Sequence, residues 1–437
     1  MFLPPHIAYC IQRLEQAGFP AYAVGGCVRD ALLGLQPQDY DLCTAATPDV
    51  IRSLFPEHDQ VLSGKKHGTI GIVFGKEVVE ITTFRTEGQY LDNRHPDSVT
   101  FVDSIEADLS RRDFTVNAMA FSPTRGFADP FGGRQDLQQH RLRAVGDAAT
   151  RFREDSLRIL RGVRFAVRFS LTPEEQTLEA MQTLAPLMDN LARERVFDEL
   201  CKLLPQIQSH QLLQFAPILT QVLPELASCL GFDQRSRHHA YDLYTHIAHV
   251  VEAVPPQLPL RWAALLHDVG KLQTLTLDEQ GEAHYYGHAQ ASQAMAEEIL
   301  LRLKSPTALR NQVSALIQHH MTKIPPEKKA VRRWLGRLGA ETMEQLLLLQ
   351  EADMGSKGTG QPQNTAQFHQ IRELIAQLQA ENAALTVKDL AVNGHDLMAL
   401  GYTGQAIGQA LAALLELVLD ERLPNEKAAL LAHLKHS

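Results

Sequence analysis

Two aspartates separated by one tyrosine stand near the N-terminus, and their type and spacing suit metal-ion chemistry. In "QDYDLCT", Asp39 and Asp41 are two residues apart, so in a β-strand their side chains would point to the same side. Adjacent carboxylates repel each other unless a cation lies between them, and oxygen ligands at this spacing suit Mg²⁺. The pair predicts a two-metal arrangement that activates a hydroxyl and stabilises a leaving pyrophosphate. An isolated Asp-x-Asp pair is more often a solvated strand edge.

Residues around this pair supply what phosphate binding needs. Gly25 and Gly26 follow the apolar run "AYAV" and let backbone amides approach an anion, and Arg29 adds positive charge at the start of the next helix. Glu80, in "EVVEITTF", would add a third carboxylate if its strand lies beside that of Asp41. A surface glutamate fits the sequence equally well.

The hydrophobic pattern changes along the chain. Up to about Val145, "AYAVGG", "YDLCTA" and the two halves of "TIGIVFGKEVVEITTF" predict short strands, with helices near Val28 and after Thr47, whose side chain would cap the second. Past Arg151 nearly every segment has helical periodicity, and "MGSKGTGQPQNTAQ" predicts a long loop before the last helical segment. The sequence therefore predicts an α+β protein with a small N-terminal α/β unit.

Composition limits the class of protein. At about 150 residues per domain, the 437-residue chain predicts two to four domains. No apolar run reaches about 18 residues, and "MFLPPHIAYCIQRLEQ" carries charge where a secretory signal needs an apolar core. The five cysteines are scattered and never spaced as CxxC, which argues against disulfides and a thiolate zinc site. We expect a cytoplasmic protein with no membrane partner.

A net charge of −9 means that any nucleic-acid contact must use local basic patches. One patch is the segment "KKAVRRWLGR" at 328–337. The other consists of arginines close together in the sequence: Arg141, Arg143, Arg151, Arg153, Arg158, Arg161, Arg164 and Arg168. Each patch is equally compatible with RNA contact and with a solvated helix face.

Six motifs follow one another in a specific order: "GGCVRDALLG…DYDL", "HGTIGIVF", "EITTFRTEGQYLDNRHPDSVTFV", "RRDFTVNAMAF", "DPFGG" and "EDSLRILR". The chain resembles the class II tRNA nucleotidyltransferases, the superfamily of bacterial CCA-adding enzymes and poly(A) polymerases. The match is dense in the first half and returns in "LTVKDLAVNGHDLMALGYTG…LPNEK". The resemblance implies a nucleotidyltransferase head with a mixed or antiparallel sheet, followed by helical domains that hold the tRNA acceptor arm.

The resemblance also implies site residues. Asp39 and Asp41 would bind the catalytic Mg²⁺ ions, and the incoming nucleotide would contact Gly25, Gly26, Arg29, Arg112, Asp113 and Asn117 through its phosphates and ribose.

A base reader is expected in "EDSLRILR". Asp155 and Arg158 are three residues apart, so on one helix they would share a face as an acceptor and a donor. Cytosine and adenine present an amino donor beside a ring-nitrogen acceptor, whereas uracil and guanine present a carbonyl and an N–H. The pair would therefore accept C and A and refuse U and G. Arg161, one turn further, would support the site or contact phosphate.

Switching from C to A requires a movable element, and the polar segment at 84–99 resembles the flexible loop of the family. Arg85, Asp92 and Arg94 are its candidate residues. Its presence favours addition of the terminal A, and "GKKHGTIGIVFG" favours CCA addition over poly(A) synthesis. An enzyme that adds only the final A remains open.

A second set of residues recurs in the order of the HD phosphohydrolase family, in which imidazoles and carboxylates hold divalent metal and activate water. The set consists of His246, His267, Asp268, His288, His320 and Asp353, with His249 and His319 as bystanders. The resemblance implies a divalent transition metal here and either phosphatase or cyclic phosphodiesterase activity or a scaffold that positions tRNA.

The expected domains are a catalytic head at 1–145, a helical neck and body with base recognition at 146–232, an HD domain at 233–365 and a tRNA-binding tail at 366–437. The expected function is template-independent addition of C, C and A to the tRNA 3′ end from CTP and ATP. The alternatives are A-only addition, poly(A) synthesis, a metal phosphohydrolase whose head only binds tRNA, and a tRNA chaperone without catalysis.

Overall fold

The computed structural model describes residues 1–88, 99–236, 239–359, 365–381 and 383–436. The chain forms two compact units, one from Met1–Ile207 with Gln214–Pro224 and the other from Gln208–Leu213 with Glu225–Ser437. The expected boundary between head and neck at residue 145 falls inside the first unit.

The first unit combines a sheet with short helices. Its strands are β1 Ala21–Val24, β2 Asp41–Thr44, β3 Gln60–Val61, β4 Thr69–Phe74, β5 Glu77–Thr83, β6 Arg85–Glu87, β7 Val99–Phe101, β8 Ala120–Ser122, β9 Gly126–Ala128, β10 Arg141–Leu142 and β11 Thr172–Pro173. Its helices are α1 Pro5–Gln16, α2 Gly26–Leu32, α3 Pro48–Leu54, α4 Ile105–Ser110, α5 Gly133–Gln138, α6 Ala148–Glu154, α7 Leu157–Arg168, α8 Glu175–Leu184, α9 Arg193–Leu203, α10 Ser209–Gln214, which continues from the second unit, and α11 Ala216–Val222.

The main sheet has seven strands in the order β3-β4-β5-β2-β1-β8-β9. The β2–β5 pair is parallel and the other pairs are antiparallel, so the sheet is mixed, as expected. In this register Asp41 lies opposite Val24 of β1 and beside Glu80 of β5. The sheet thus brings Glu80 next to Asp41, one of the two arrangements that the sequence left open.

The strand expected to carry both aspartates is shorter than predicted, because β2 begins at Asp41 and Asp39 precedes it. The physical reason lies in β1, which ends at Val24, the partner of Asp41. At Gly25 the chain turns into α2 with a φ of 77°, a left-handed conformation that favours glycine. No β1 residue remains to pair with Asp39.

Buried apolar side chains pack the main sheet against neighbouring segments of the first unit. All four residues of β1 are buried. One core cluster consists of Tyr22, Val24, Cys43, Phe84, Ile105, Leu109, Ala118, Ala120 and Val145.

The helix expected after Thr47 forms with Pro48 in its first turn, but the Thr47 side chain makes no capping hydrogen bond, so that detail of the prediction was wrong.

The second unit is almost entirely helical, as predicted. Its helices are α12 Leu243–Ala253, α13 Leu258–Leu266, α14 Lys271–Thr274, α15 His288–Arg302, α16 Thr307–His319, α17 Lys328–Gly355, α18 Ala366–Ala380, α19 Gly394–Met398, α20 Gln405–Leu419 and α21 Lys427–His436, and a hairpin is formed by β12 Thr276–Leu277 and β13 Ala283–His284. Gly339 interrupts α17 with a φ of 76°. Among the described residues, no helix combines the length and the apolar character needed to span a bilayer.

Candidate functional site

A cavity of about 460 Å³ opens in the first unit beside the first residue of β2, between helices α2, α7 and α9. It is lined mainly by charged side chains, which are Arg29, Asp41, Arg111, Arg112, Asp113, Asp155, Arg158, Arg161, Arg164 and Arg195, with Asn117, Gly26, Leu157 and Phe165. The cavity brings together most of the nucleotide-binding residues predicted from the sequence. Asp39 and Gly25 are not part of its lining.

Asp41 is the acidic group at the sheet end of this cavity. Burial raises the pKa of its carboxyl, Arg112 lowers the pKa, and Asp39 raises it again. A carboxyl whose pKa is raised by burial and by a neighbouring carboxylate fits a divalent cation, which would favour its ionised form.

Gly25 allows the backbone to approach Arg112 closely. A Cβ on Gly25 would lie 2.7 Å from Nη1 of Arg112, so a side chain there would displace the guanidinium. The Gly25 amide donates to the carbonyl oxygen of Met119 at 3.0 Å, which ties the turn to the motif that carries Asn117.

Asp113 is the centre of a buried network on one wall. Its Oδ2 accepts two hydrogen bonds from Arg161, at 2.9 and 2.7 Å, and its Oδ1 accepts from Asn117 at 3.0 Å. Burial alone would raise the pKa of Asp113, but Arg161 and the Asn117 hydrogen bond lower it to about 2. This carboxylate stays ionised and holds Arg161 and Asn117 in fixed positions.

Arg29 is almost fully buried, and its guanidinium already has protein partners. It donates to Asp30 at 2.6 and 2.8 Å and to Oδ1 of Asn117, and its centre lies 4.1 Å from the ring centroid of Phe169. The expected phosphate contact of Arg29 would therefore have to share or replace these bonds.

The expected base reader sits at a helix break. Asp155 is the residue that ends α6, with a φ of −142°, and Arg158 belongs to α7, so the prediction that one continuous helix carries both was wrong. The backbone becomes extended at Asp155, whose Oδ1 accepts from the amide of Leu157 at 3.1 Å. Both side chains nevertheless line the same cavity.

The protein fixes the Arg158 guanidinium from three sides. Nη1 donates to Glu154 at 2.5 Å and to the carbonyl oxygen of Arg151 at 3.0 Å, and Nη2 donates to the carbonyl oxygen of Arg111 at 3.0 Å.

Sequence reasoning missed Arg195, in "ARERV" on α9. Its Nη2 donates to Oδ2 of Asp155 at 2.8 Å and its Nη1 to Oδ1 at 3.3 Å. One turn further along α9, Glu199 forms a buried pair with Arg164 of α7 at 2.5 Å. Helix α9 therefore fixes the position of the Asp155 carboxylate through Arg195. No local sequence signal links α9 to Asp155.

Of the predicted loop residues, Arg85 donates through Nη1 to the carbonyl oxygen of His67, and its amide donates to Asp108 at 3.3 Å. Asp92 and Arg94 lie outside the described residues.

In the second unit the six predicted ligands converge. His246 lies on α12, His267 and Asp268 follow α13, His288 begins α15, His320 follows α16 and Asp353 lies on α17; all six are buried. Their ligand atoms form two groups, each within 4.8 Å: His246, His267, Asp268 and Asp353, and Asp268, His288 and His320. In the part of the chain that the structure describes, no other group of three or more such ligands meets this distance.

Asp268 belongs to both groups through different oxygens. Its Oδ2 lies 3.3 Å from Nε2 of His267 and 3.4 Å from Nε2 of His246, whereas its Oδ1 lies 3.4 Å from Nε2 of His288 and 3.9 Å from Nε2 of His320. One carboxylate thus faces two sets of imidazoles.

The outer nitrogens of the four imidazoles fix their orientation. Nδ1 of His246, His267, His288 and His320 lies 2.6 to 3.1 Å from a backbone carbonyl oxygen, which turns each Nε2 toward the centre of the cluster. Nε2 of His288 and Nε2 of His320 lie 3.3 Å apart there. Nε2 of His246 and Nε2 of His267 are buried without a hydrogen-bond partner among the described residues, and Oδ2 of Asp268 is paired with Nζ of Lys271 at 2.7 Å. Orphaned inward-facing donor atoms of this kind fit a divalent metal centre.

The predicted bystanders lie outside this cluster, since His249 stacks on Tyr241 and His319 packs edge-on against Trp334.

Most basic side chains of the two predicted patches form ion pairs with acidic residues of the protein itself. In the segment at 328–337, Lys328 pairs with Glu381 and Arg333 with Asp420 at 2.6 Å.

Comparisons with known proteins place this architecture. Residues 21–143 match the "Poly A polymerase head domain", 170–230 the "Probable RNA and SrmB- binding site of polymerase A" and 275–434 the "tRNA nucleotidyltransferase domain 2 putative". The fold and its cavity thus define a protein with a poly(A) polymerase-type head and a helical tRNA nucleotidyltransferase second half.

Full-length relatives narrow this class. A CCA-adding enzyme of Levilactobacillus brevis is 35% identical over 97% of this chain and 95% of its own length. The crystal structure of the Bacillus stearothermophilus CCA-adding enzyme in complex with CTP superposes with a TM-score of 0.70 at 30% identity, covering 99% of this chain and 98% of that one. A CCA-adding enzyme of Streptococcus pneumoniae is 47% identical, but the match spans 44% of this chain and about half, 48%, of that relative. The chain belongs to the CCA-adding enzyme family.

Proposed function

We propose that this protein adds C, C and A to the 3′ end of tRNA from CTP and ATP without a template, releasing pyrophosphate. The observation that carries the proposal is the 460 Å³ cavity, in which Asp41 faces a wall of arginines and both Asp155 and Arg158 are present. Family membership and the CTP complex of a full-length structural neighbour support it.

In this proposal the tRNA 3′-hydroxyl attacks the α-phosphate in line. Asp41 and Asp39, with Glu80 beside them, would hold Mg²⁺, which supplies charge for the hydroxyl and the leaving pyrophosphate. Arg112 lies beside Asp41 and is positioned to balance phosphate charge, while the Asp113 network orients Asn117 toward the sugar.

Base selection would come from the protein alone. Oδ2 of Asp155 receives one bond from Arg195 and retains a lone pair for the amino group of C or A, and Arg158 donates to the ring nitrogen. Uracil and guanine would set a carbonyl against the carboxylate and an N–H against the guanidinium, leaving buried groups unpaired.

The test uses tRNA transcripts that end before CCA, after C and after CC, each with labelled CTP, ATP, UTP or GTP and then with CTP and ATP together. We expect every transcript to be completed to CCA and then to stop. Extension of the CC-ended transcript alone would assign A-only addition, and unlimited A incorporation would assign poly(A) synthesis.

We further propose that the histidine–aspartate cluster is an HD-type metal centre that hydrolyses phosphate esters. It is supported by the convergence of six buried side chains of ligand type and by the Nε2 atoms of His246 and His267, which have no hydrogen-bond partner among the described residues. The six residues would hold a divalent transition metal, which would supply an activated water. Phosphate release from nucleotides and from tRNA ends, with and without added Mn²⁺ or Ni²⁺, tests hydrolysis, and metal content after dialysis tests binding. A protein that binds metal but releases no phosphate would have only a scaffold here. For both activities we place the protein in the cytoplasm.

A further inference from the structure

Arg112 differs in its partners from the other arginines of the first cavity, the one beside Asp41 in the first unit. The other arginines of the lining all donate hydrogen bonds to protein groups: Arg29, Arg111, Arg158, Arg161, Arg164 and Arg195. Arg112 donates none to any residue that the structure describes, and its Nε is buried without a partner among them. The N–H groups of Arg112 therefore remain available to a ligand.

Asp108 is the carboxylate that faces Arg112 from behind. It lies on α4, is fully buried and does not line the cavity. Its Oδ1 accepts from Nε and Nη2 of Arg111 at 3.1 and 2.9 Å, and its Oδ2 lies 3.7 Å from Nη2 of Arg112. The sequence "DLSRR" explains this contact, since residues three and four positions further along a helical turn return to the same side. One buried carboxylate thus serves two neighbouring guanidiniums.

Arg112 is also limited on its other side. A Cβ on Gly25 would lie 2.7 Å from its Nη1, and its charge lowers the pKa of the Asp41 carboxyl. Opposite charges attract strongly where water is partly excluded. If Asp108 were neutral, the attraction by Asp41 would no longer be balanced, and the guanidinium would move toward the carboxyl that is proposed to hold Mg²⁺.

We infer that Asp108 is a positioning residue for the triphosphate of the incoming nucleotide, and that it acts through Arg112. Its charge keeps the unused N–H groups of that guanidinium directed at the phosphates, while Asp108 itself is too buried to touch them. The base contacts do not depend on this charge, because Arg158 is held by the backbone carbonyl oxygen of Arg111. The inference deepens the proposed nucleotide transfer and rests on its substrate being a nucleoside triphosphate.

Equilibrium dialysis with labelled CTP, and displacement of that CTP by inorganic tripolyphosphate, tests the inference at a fixed concentration of free Mg²⁺. Tripolyphosphate carries the phosphates without sugar or base. Asp108→Asn keeps the shape of the side chain and removes its charge. We expect it to weaken the binding of both probes by the same factor, about 10- to 100-fold. Asp155→Asn, at the base reader, should weaken CTP binding and leave tripolyphosphate binding unchanged.

A second variant, Arg112→Gln, tests whether Asp108 acts through Arg112. In a protein that already carries Arg112→Gln, adding Asp108→Asn should weaken CTP binding no further, because two residues that act as one unit are not additive. Full addition of the two effects would overturn the inference. A merely structural role of Asp108 would lower the number of CTP sites per protein molecule and leave the Kd unchanged, which would also overturn it.

Glu106→Gln is the matched control, since Glu106 is an exposed carboxylate on the same helix and does not line the cavity. It should bind both probes as the wild type does. Weaker binding of CTP with unchanged binding of tripolyphosphate in Asp108→Asn would overturn the inference. CTP binding that depends on Asp108 in a protein that adds no nucleotide to tRNA would instead overturn only the proposed function, so the two failures are distinct.

Discussion

In the cavity of the first unit, Asp113 is paired with Arg161 and Asp155 with Arg195, whereas in the cluster of the second unit Nε2 of His246 and Nε2 of His267 have no hydrogen-bond partner among the described residues. Both regions are rich in charged groups. In the first, two of the acidic groups are paired before any ligand arrives, whereas the second has imidazole nitrogens that a cation would complete. On the proposed functions, the first region would recognise its ligand by preset bonds and the second by coordination.

The largest expected effect concerns Asp41, which lines the first cavity and forms no ion pair within the described part of the chain, together with its neighbour Asp39. Replacing Asp39 and Asp41 together by Ala should lower nucleotide incorporation by roughly a thousandfold or more, because the carboxylates that would hold Mg²⁺ in the proposed mechanism are gone. Incorporation of labelled CTP into a CCA-less transcript measures this. Glu77→Ala, an exposed carboxylate on β5, is the control and should keep full activity. Phosphate release by the second unit should not change; its parallel loss would contradict two separate centres.

Removing the shared ligand of the second region comes next. Asp268→Ala should reduce bound metal after dialysis to near background, since both ligand groups lose an oxygen. Elemental analysis of the purified protein measures this, and CCA addition should persist. His249→Ala, on α12 but outside the cluster, should keep wild-type metal content. Normal metal content in Asp268→Ala would disprove the assignment of the cluster.

A smaller effect is expected from Arg195, which orients the Asp155 carboxylate that would bind the base. Arg195→Ala should raise UTP incorporation relative to CTP by about 10- to 100-fold, because the charge-assisted bonds that orient Asp155 are lost. Arg195→Lys should recover only part of the selectivity, since lysine lacks the bidentate geometry. The readout is kcat/KM for each nucleotide.

Arg193→Ala is the control for that variant, because Arg193 lies on the same helix, donates to the carbonyl oxygen of Asp189 and does not line the cavity. An equal loss of kcat/KM for all four nucleotides would mean that Arg195 only stabilises the fold.

The smallest effect concerns stability. The Asp113 pKa is lowered from 3.8 to about 2, so its ionised form stabilises the fold above pH 4, and this contribution is lost as the pH falls toward 2. Asp113→Asn should lower the free energy of unfolding at pH 7 by about 2 kcal/mol. Denaturant unfolding from pH 7 to pH 2.5 measures it. If the free energies of unfolding of Asp113→Asn and the wild type differ by the same amount at every pH in this range, the stabilisation by Asp113 does not come from its charge.

Much of this molecule could be predicted from its sequence because local patterns carried the information. The strands around Asp41 follow from apolar runs, and the convergence of six ligands follows from motif order. The two errors at the site are also physical. The strand does not reach Asp39 because its partner strand turns away at Gly25, and one helix does not carry Asp155 and Arg158 because the chain becomes extended between them.

What the sequence did not reveal depends on tertiary packing. Arg195 contacts Asp155 across 40 residues, and helical periodicity contains no signal for such a contact. The exposure of Tyr286 beside Tyr285 is a second example. It depends on a distant contact, because the Tyr285 hydroxyl donates to the carbonyl oxygen of Gln234.

The bond between Asp155 and Arg195 also bears on how the protein is made. Chains fold from the N-terminus as they leave the ribosome. A nascent chain that has released β2 and α7, but not α9, has its carboxylates and Arg158 but no Arg195. On the proposed function, selectivity for C and A would therefore be acquired only when α9 emerges and packs on α7, which brings Arg195 to Asp155.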